Sequence, residues 1–305
     1  MTDTIELQTI EVDGTGDGPH LLITGGVHGD EFESMTAIRR LAGAVDPADL
    51  SGHLTLVPVV NEAAFLNGNR TADDSLDLAR VCPGDPDGSV TLRTAVTLSA
   101  LIESVDYFID LHSGGIIMDV WPMSGYGLHP DPEIRATQQR MARAFNLPVI
   151  WATAANLDGR SLSIAREAGV PAIYTEYLGG GRCSTAGADA YFEGCLNVMG
   201  ELGLLKREQP DSLVELEIED PRPGSGHMQL QNHSPITGQF SPSVTLGQRV
   251  RPGETLGHVS NITGTDVREI PCTQDGYVLA VRCYPRVHEG DFVVVVMEVD
   301  PAIPE

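Results

Sequence analysis

Two hydrophobic periods alternate along the first two hundred residues. His20-Leu-Leu-Ile-Thr-Gly is a short apolar run closed by glycine and predicts a buried strand. From about Asp30 to Ala42 the apolar positions Phe32, Met35, Ile38 and Leu41 recur every three residues, one stripe of an amphipathic helix. Further strands are expected at Leu54 to Val60, Tyr107 to Leu111, Pro148 to Ala152 and Ala172 to Thr175. Helices are expected at Leu92 to Ser104, Pro132 to Phe145 and Ala188 to Leu204. Strands that alternate with helices predict an α/β fold, a largely parallel or mixed sheet covered on both faces.

The pattern then changes. Val214 to Asp220 is acidic and reads as the start of a linker, and Pro221-Arg-Pro-Gly-Ser-Gly is loop punctuation. Beyond it, short β-rich runs are separated by Gly, Pro and Asp. Val244 to Val259 and the later Val287-His-Glu-Gly-Asp-Phe-Val-Val read as imperfect copies of each other. With Asp275-Gly-Tyr-Val-Leu they resemble the barrel-sandwich domains that carry lipoyl or biotinyl groups, yet the segment has no lysine to modify. A lid or assembly module is therefore expected. The predicted division is 1–212 for an α/β catalytic domain and 213–305 for a smaller all-β domain.

Charge narrows the partners. Against 43 acidic residues stand only 19 basic ones, a formal charge of −24, and Lys206 is the single lysine. Such a surface repels nucleic acid and anionic membranes. It fits adaptation to high salt, or an acidic protein of a GC-rich genome. No apolar run approaches the roughly 20 residues of a membrane span, and Met1 to Ile10, with Asp3 and Glu6, lacks the basic start and apolar stretch of a signal peptide. A cytoplasmic location is expected, and a homo-oligomer is left open. Cys82, Cys183, Cys195, Cys272 and Cys283 are widely spaced and form no CxxC pair, which argues against disulfides and against thiolate zinc sites.

Gly25-Gly-Val-His28-Gly-Asp-Glu31 places His and Glu three apart where a strand gives way to a helix, so both side chains share one face of the opening turn. His112 follows the apolar run Tyr107 to Leu111 and leads into Ser113-Gly114-Gly115, another strand end. Strand ends of open α/β sheets are where ligands bind, and three ligands with one open position suit catalytic zinc. On the residues alone, a metal site competes with hydrogen-bonded structural histidines. Asp110, two residues before His112 on the same face of the strand, either orients a ligand or is a buried structural carboxylate.

Four stretches in order, Gly25 to Glu31, Asn61 to Gly84, Ile109-Asp-Leu-His-Ser-Gly-Gly and Ala172-Ile-Tyr-Thr-Glu-Tyr, resemble the succinylglutamate desuccinylase and aspartoacylase family, relatives of the zinc carboxypeptidases. The resemblance covers most of residues 20 to 205. It implies one zinc ion held by His28, Glu31 and His112, with Glu176 as the catalytic base and acid. It further implies that Arg70 polarises the scissile carbonyl and that Arg80 binds a substrate carboxylate. One departure stands out: where the family reads Asp-Leu-Asn-Arg, this chain reads Asp77-Leu78-Ala79-Arg80. Alanine donates no hydrogen bond, a loss of roughly 1 kcal/mol toward a carboxylate, and leaves the clamp to the bidentate guanidinium of Arg80.

The implied activity is hydrolysis of the amide bond of a small N-acyl amino acid or related N-acyl amine by water activated through zinc and Glu176. The high-salt composition narrows one candidate to N-acetyl-diaminobutyrate, an intermediate in ectoine breakdown. A metallocarboxypeptidase acting on peptides is the enzymatic alternative, and Ala79 motivates a non-catalytic, metal-dependent binding protein as a third reading. Tyr177, Arg182 and Tyr284 are further site candidates that nothing in the sequence separates from structural residues.

Overall fold

A computed structural model describes residues 5–299; Asp3 of the N-terminal reading lies outside them. The strands of the first part are β1 (Ile10–Asp13), β2 (His20–Thr24), β3 (His53–Val57), β4 (Tyr107–Leu111), β5 (Met118–Val120), β6 (Met123–Leu128), β7 (Val149–Ala154), β8 (Ala172–Glu176) and β9 (Leu216–Asp220). All but β5 form one mixed eight-stranded sheet in the order β1-β3-β2-β4-β8-β6-β7-β9. Its centre, β3-β2-β4-β8, is parallel, whereas β1 pairs antiparallel with β3 and β6 antiparallel with β8.

Strand alternation sorts the core into two layers. Leu21 and Ile23 of β2 join Ile109 and Leu111 of β4 on one face, against α1 (Phe32–Ala44), α4 (Pro132–Phe145) and α6 (Thr185–Glu201). Leu22 and Phe108 point the other way, onto α3 (Val90–Ile102) and α5 (Ser161–Ala168). The short helix α2 (Glu62–Asn67), capped at its start by the Asn61 side chain, links β3 to the segment that carries Arg70 and Arg80. The α/β architecture with a large mixed sheet between helices is the one expected from the alternation of periods.

One segment departs from expectation. Val214 to Asp220 was expected to open a linker, but Leu216–Asp220 is the edge strand β9, parallel to β7. Its acidic residues mask a period of two: Ile218 is buried against the sheet, while Glu217 pairs with Arg143 and Glu219 with Arg135.

Beyond β9 lie β10 (Gly238–Pro242), β11 (Arg249–Val250), β12 (Thr255–Ser260), β13 (Val267–Pro271), β14 (Gly276–Arg282), β15 (Arg286–Val287) and β16 (Val294–Glu298). They form two small sheets, β13-β12-β10-β15 and β11-β14-β16, around a core of valines with Phe240, Leu256 and Ile270. The second of these sheets extends into the first part of the chain through β5, which pairs antiparallel with β14. All five cysteines are free. Among the described residues no helix is long and apolar enough to cross a membrane.

Candidate active site

Three neighbouring parallel strands end at the same edge of the sheet, and each delivers a polar residue there. Thr24, last in β2, leads through Gly25-Gly26 to His28. Glu176 is the last residue of β8. Because Leu111 of β4 pairs with Thr175 of β8, His112 and Glu176 follow on the next rung. Gly29 lets the turn before α1 pass close beneath α2: a Cβ added there would lie 2.1 Å from the carbonyl carbon of Ala64. That close approach holds the first turn of α1, with Glu31 at its cap, against the strand end.

His28, Glu31 and His112 offer three ligand atoms within 4.8 Å of one another. His28 Nδ1 lies 2.7 Å from Glu31 Oε1, and His112 Nδ1 lies 3.1 Å from Glu31 Oε2. The other nitrogen of each imidazole faces a further carboxylate, Asp77 Oδ1 at 3.1 Å from His28 Nε2 and Asp110 Oδ2 at 3.2 Å from His112 Nε2. Asp110 is fully buried and also accepts from Thr24 Oγ1 at 2.8 Å and from the Ser161 hydroxyl. Burial opposes ionisation of Glu31, but the two imidazoles outweigh it and hold the carboxyl well below the usual range. The same balance, with His28 and Arg70 as partners, keeps Asp77 ionised. Each histidine thus has one nitrogen turned to a common point and the other oriented by a carboxylate, the arrangement metal-binding histidines adopt. This donor set fits a zinc ion.

Glu176 stands in the opposite condition. Burial and the nearby Glu31 charge raise its carboxyl to about 7, with His112, His28 and Arg70 pulling the other way. Its Oε2 is buried and accepts no hydrogen bond from the protein. Arg70, expected beside the carbonyl, reaches Glu31 Oε1 at 3.6 Å and is tied to Asp77 Oδ2 at 3.0 Å through Nη2. His28, Glu31, Arg70, His112, Ser161 and Glu176 line one cavity of about 230 Å3; Asp77 and Asp110 do not.

Arg80 faces the same cavity, and Ala79 lines it beside Arg80. A second arginine, Arg160, which sequence reasoning missed, lines it too. Gly159, with a φ of +82°, packs so closely on Arg80 that an added Cβ would lie 2.4 Å from the Arg80 carbonyl oxygen. The only sequence signal for Arg160 was the Asp158-Gly159 turn before it, which doubles the chain back onto the sheet. Burial, and then the Arg160 charge, push Arg80 down to about 10. Arg80 donates to the Ala79 carbonyl at 2.7 Å and to Gln229 Oε1 at 3.3 Å. Arg160 Nη2 donates to the Gly226 carbonyl at 3.4 Å, and its Nε is buried without a partner in the protein. Gly226, Met228 and Gln229 come from beyond β9, so the later part of the chain closes the cavity. Tyr177, Arg182 and Tyr284 do not line it: Tyr177 packs on Tyr191, Arg182 pairs with Asp119 and Tyr284 is partly exposed beside Arg286.

The chain is 35% identical over 295 residues to the N-alpha-acetyl-L-2,4-diaminobutyric acid deacetylase of Halomonas elongata, an alignment that spans 93% of this chain and 83% of that one. Among solved structures, the succinylglutamate desuccinylase/aspartoacylase of Rhodobacter sphaeroides superposes with a TM-score of 0.85 at 29% identity, covering 96% of this chain and 90% of that one. The product-bound ectoine utilization protein EutE (DoeB) of Ruegeria pomeroyi gives a TM-score of 0.85 at 30% identity, covering 94% and 87%. The family model of the succinylglutamate desuccinylase/aspartoacylase catalytic domain matches residues 17–202. The chain belongs to the succinylglutamate desuccinylase/aspartoacylase family.

Proposed function

We propose that this protein is a zinc-dependent deacylase that hydrolyses the amide of a small N-acyl amino acid, with N-alpha-acetyl-L-2,4-diaminobutyrate as the leading substrate. The supporting observation is the convergence of His28, Glu31 and His112 on one point beside Glu176, whose carboxyl is raised to about 7. Similarity to the Halomonas deacetylase supports the choice of substrate.

His28, Glu31 and His112 would hold the ion. Zinc bound there would acidify water and act as a Lewis acid toward a carbonyl oxygen. Glu176 takes a proton from the water whose oxygen attacks the amide carbon, then passes it to the departing nitrogen as the C–N bond breaks. A carboxyl group raised to about 7 gives up and regains a proton near neutral pH, which both halves of that task require. Arg70, held by Asp77, offers its guanidinium to the oxygen that gains charge. Arg80 and Arg160 take the substrate carboxylate, and Arg160 compensates for the donor that Ala79 does not supply. The products are a carboxylate and a free amine. We take the β-rich part beyond β9, within the 213–305 predicted from sequence, as a barrel-sandwich-like module that walls the cavity, and the cytoplasm as the protein's place of work.

One observation favours a second reading within the same chemistry. Among the described residues neither Arg80 nor Arg160 forms an ion pair, although the two guanidinium groups repel each other. Two arginines without a direct carboxylate partner suit a substrate with two carboxylates, such as an acylated aspartate or glutamate. Assays of the zinc-loaded enzyme on N-acetyl-diaminobutyrate, N-acetylaspartate, succinylglutamate and short peptides discriminate the readings. Highest kcat/KM on the first is expected; preference for peptides would replace the deacylase with a carboxypeptidase. No turnover on any amide at full zinc occupancy would leave a binding protein.

A further inference from the structure

The opposite end of β2 carries a second cluster of histidines and carboxylates that the deacylase reading does not use. His20 opens β2 and pairs in register with His53, which opens β3; His53 in turn pairs with Asp13 of β1, and Thr55 with Glu11. Residues directly opposite on neighbouring strands share a face, and a spacing of two preserves that face. Glu11, Asp13, His20, His53 and Thr55 therefore stand together on one side of three rigid strands. His20, His53 and Thr55 are partly or fully covered, while Glu11 is exposed enough to admit an ion.

The side chains converge. His53 Nε2 lies 3.0 Å from Glu11 Oε2, and Thr55 Oγ1 lies 2.5 Å from the same oxygen. His20 Nε2 lies 2.8 Å from Thr55 Oγ1. The two imidazoles meet edge to face at 4.4 Å, and one ligand atom from each of Glu11, His20 and His53 falls within 4.8 Å of the others. On its far side His53 Nδ1 meets Asp13 Oδ1 at 2.7 Å. This contact sets the tautomer: with its proton on Nδ1 toward Asp13, a neutral His53 has a bare Nε2 lone pair facing the carboxylate of Glu11. Two acceptors 3.0 Å apart need a positive centre between them, either a second proton or a metal cation. A carboxylate behind a histidine whose other nitrogen faces a carboxylate oxygen is the arrangement that orients histidine on zinc.

We propose that Glu11, His20 and His53 form a second divalent-cation site of the zinc type, with Asp13 orienting His53 and Thr55 or water completing the sphere. Two imidazole nitrogens and one carboxylate oxygen suit zinc, copper or nickel better than calcium or magnesium. A chain with a net charge of −24 concentrates such cations at its surface. The bound ion ties edge strand β1 to β3 and β2, so its role is structural. The site is independent of the deacylase centre, which lies beyond the other end of β2.

The full-length enzyme is titrated with zinc under equilibrium dialysis, with zinc counted per chain and hydrolysis measured in parallel. Wild type is expected to bind two zinc ions. His53→Ala and His20→Ala each reduce this to one and leave kcat/KM within twofold, while Asp13→Asn, which keeps the shape, weakens the second ion about 10–100-fold. The double variant His28→Ala/His112→Ala retains one ion and loses hydrolysis. Copper(II) loaded into that double variant is expected to show nitrogen coupling from two imidazoles in its electron paramagnetic resonance spectrum, a signal lost when His20→Ala is added. A wild type that holds no ion sensitive to His53→Ala and His20→Ala overturns the proposal. Loss of the first ion alone would count against the deacylase centre and leave this site standing.

Discussion

Glu31, at the start of α1, and Glu176, at the end of β8, stand near each other, yet their environments drive their carboxyl groups apart. Two imidazoles hold Glu31 ionised, whereas Glu176 is raised to about 7 by burial and by the Glu31 charge itself. Replacement of Glu176 by Gln keeps the shape and removes the base, so kcat should fall by about 10²–10⁴-fold while zinc content stays at the wild-type level. The pH profile carries a matching sign. Glu176 accepts a proton only when ionised, so kcat/KM is lost as pH falls through its pKa; a cation beside it draws that value down from about 7, placing the acidic limb at or below neutrality. At the far end of the cavity, Arg160→Met should lower kcat/KM by about tenfold or more for carboxylate-bearing substrates and change little for an N-acyl amine without one. The gathering of His28, Glu31, His112 and Glu176 around one cavity was legible from their motifs, because His, Glu and Gly where a strand gives way to a turn leave a local signature. Arg160 was not, because its place beside Arg80 depends on a turn that brings together residues 80 positions apart in the chain.

The elements themselves were legible wherever a period was clean. The helix expected at Pro132 to Phe145 is present with those bounds, started by the Asp131 side chain and stopped by Asn146 in the left-handed region. The strand expected at Tyr107 to Leu111 is likewise present as predicted. What escaped was structure whose composition argued against it. Met123-Ser-Gly-Tyr-Gly-Leu reads as turn-forming, but in β6 Gly125 lies where a side chain would strike the Tyr174 ring, at 2.5 Å. The charges of β9 hid its alternation in the same way. Close packing also marks the element most sensitive to substitution near the site. Gly29→Ala forces backbone apart between α1 and α2, and overpacking of this kind costs about 1–3 kcal/mol. A lower urea midpoint with weaker zinc binding is expected, because Glu31 begins the displaced helix.

At the scale of the whole molecule the net charge of −24 sets the response to salt. Carboxylates that repel one another across a surface destabilise the compact state, and added salt screens that repulsion over a Debye length of about 3 Å at 1 M against 10 Å at 0.1 M. The thermal midpoint should therefore rise when KCl is increased from 0.1 M to 1 M, as thermal scans at fixed zinc would record; a flat or falling midpoint would argue against a halophilic design. Composition made this charge legible at once. The strand pairing between the two parts of the chain was not legible, since it uses three residues, Met118–Val120, that carry no strong pattern, and the apolar cluster beside it joins residues far apart in sequence, such as Trp151 and Val295.

That small strand, β5, lies between His112 and β6 in the chain yet takes its antiparallel neighbour from β14. A fragment ending after Asp220 would strip β5 of that neighbour and lay bare hydrogen-bonding groups close in the chain to His112. Open strand borders recruit other chains, so such a fragment should clump through this border rather than persist as a free minimal enzyme.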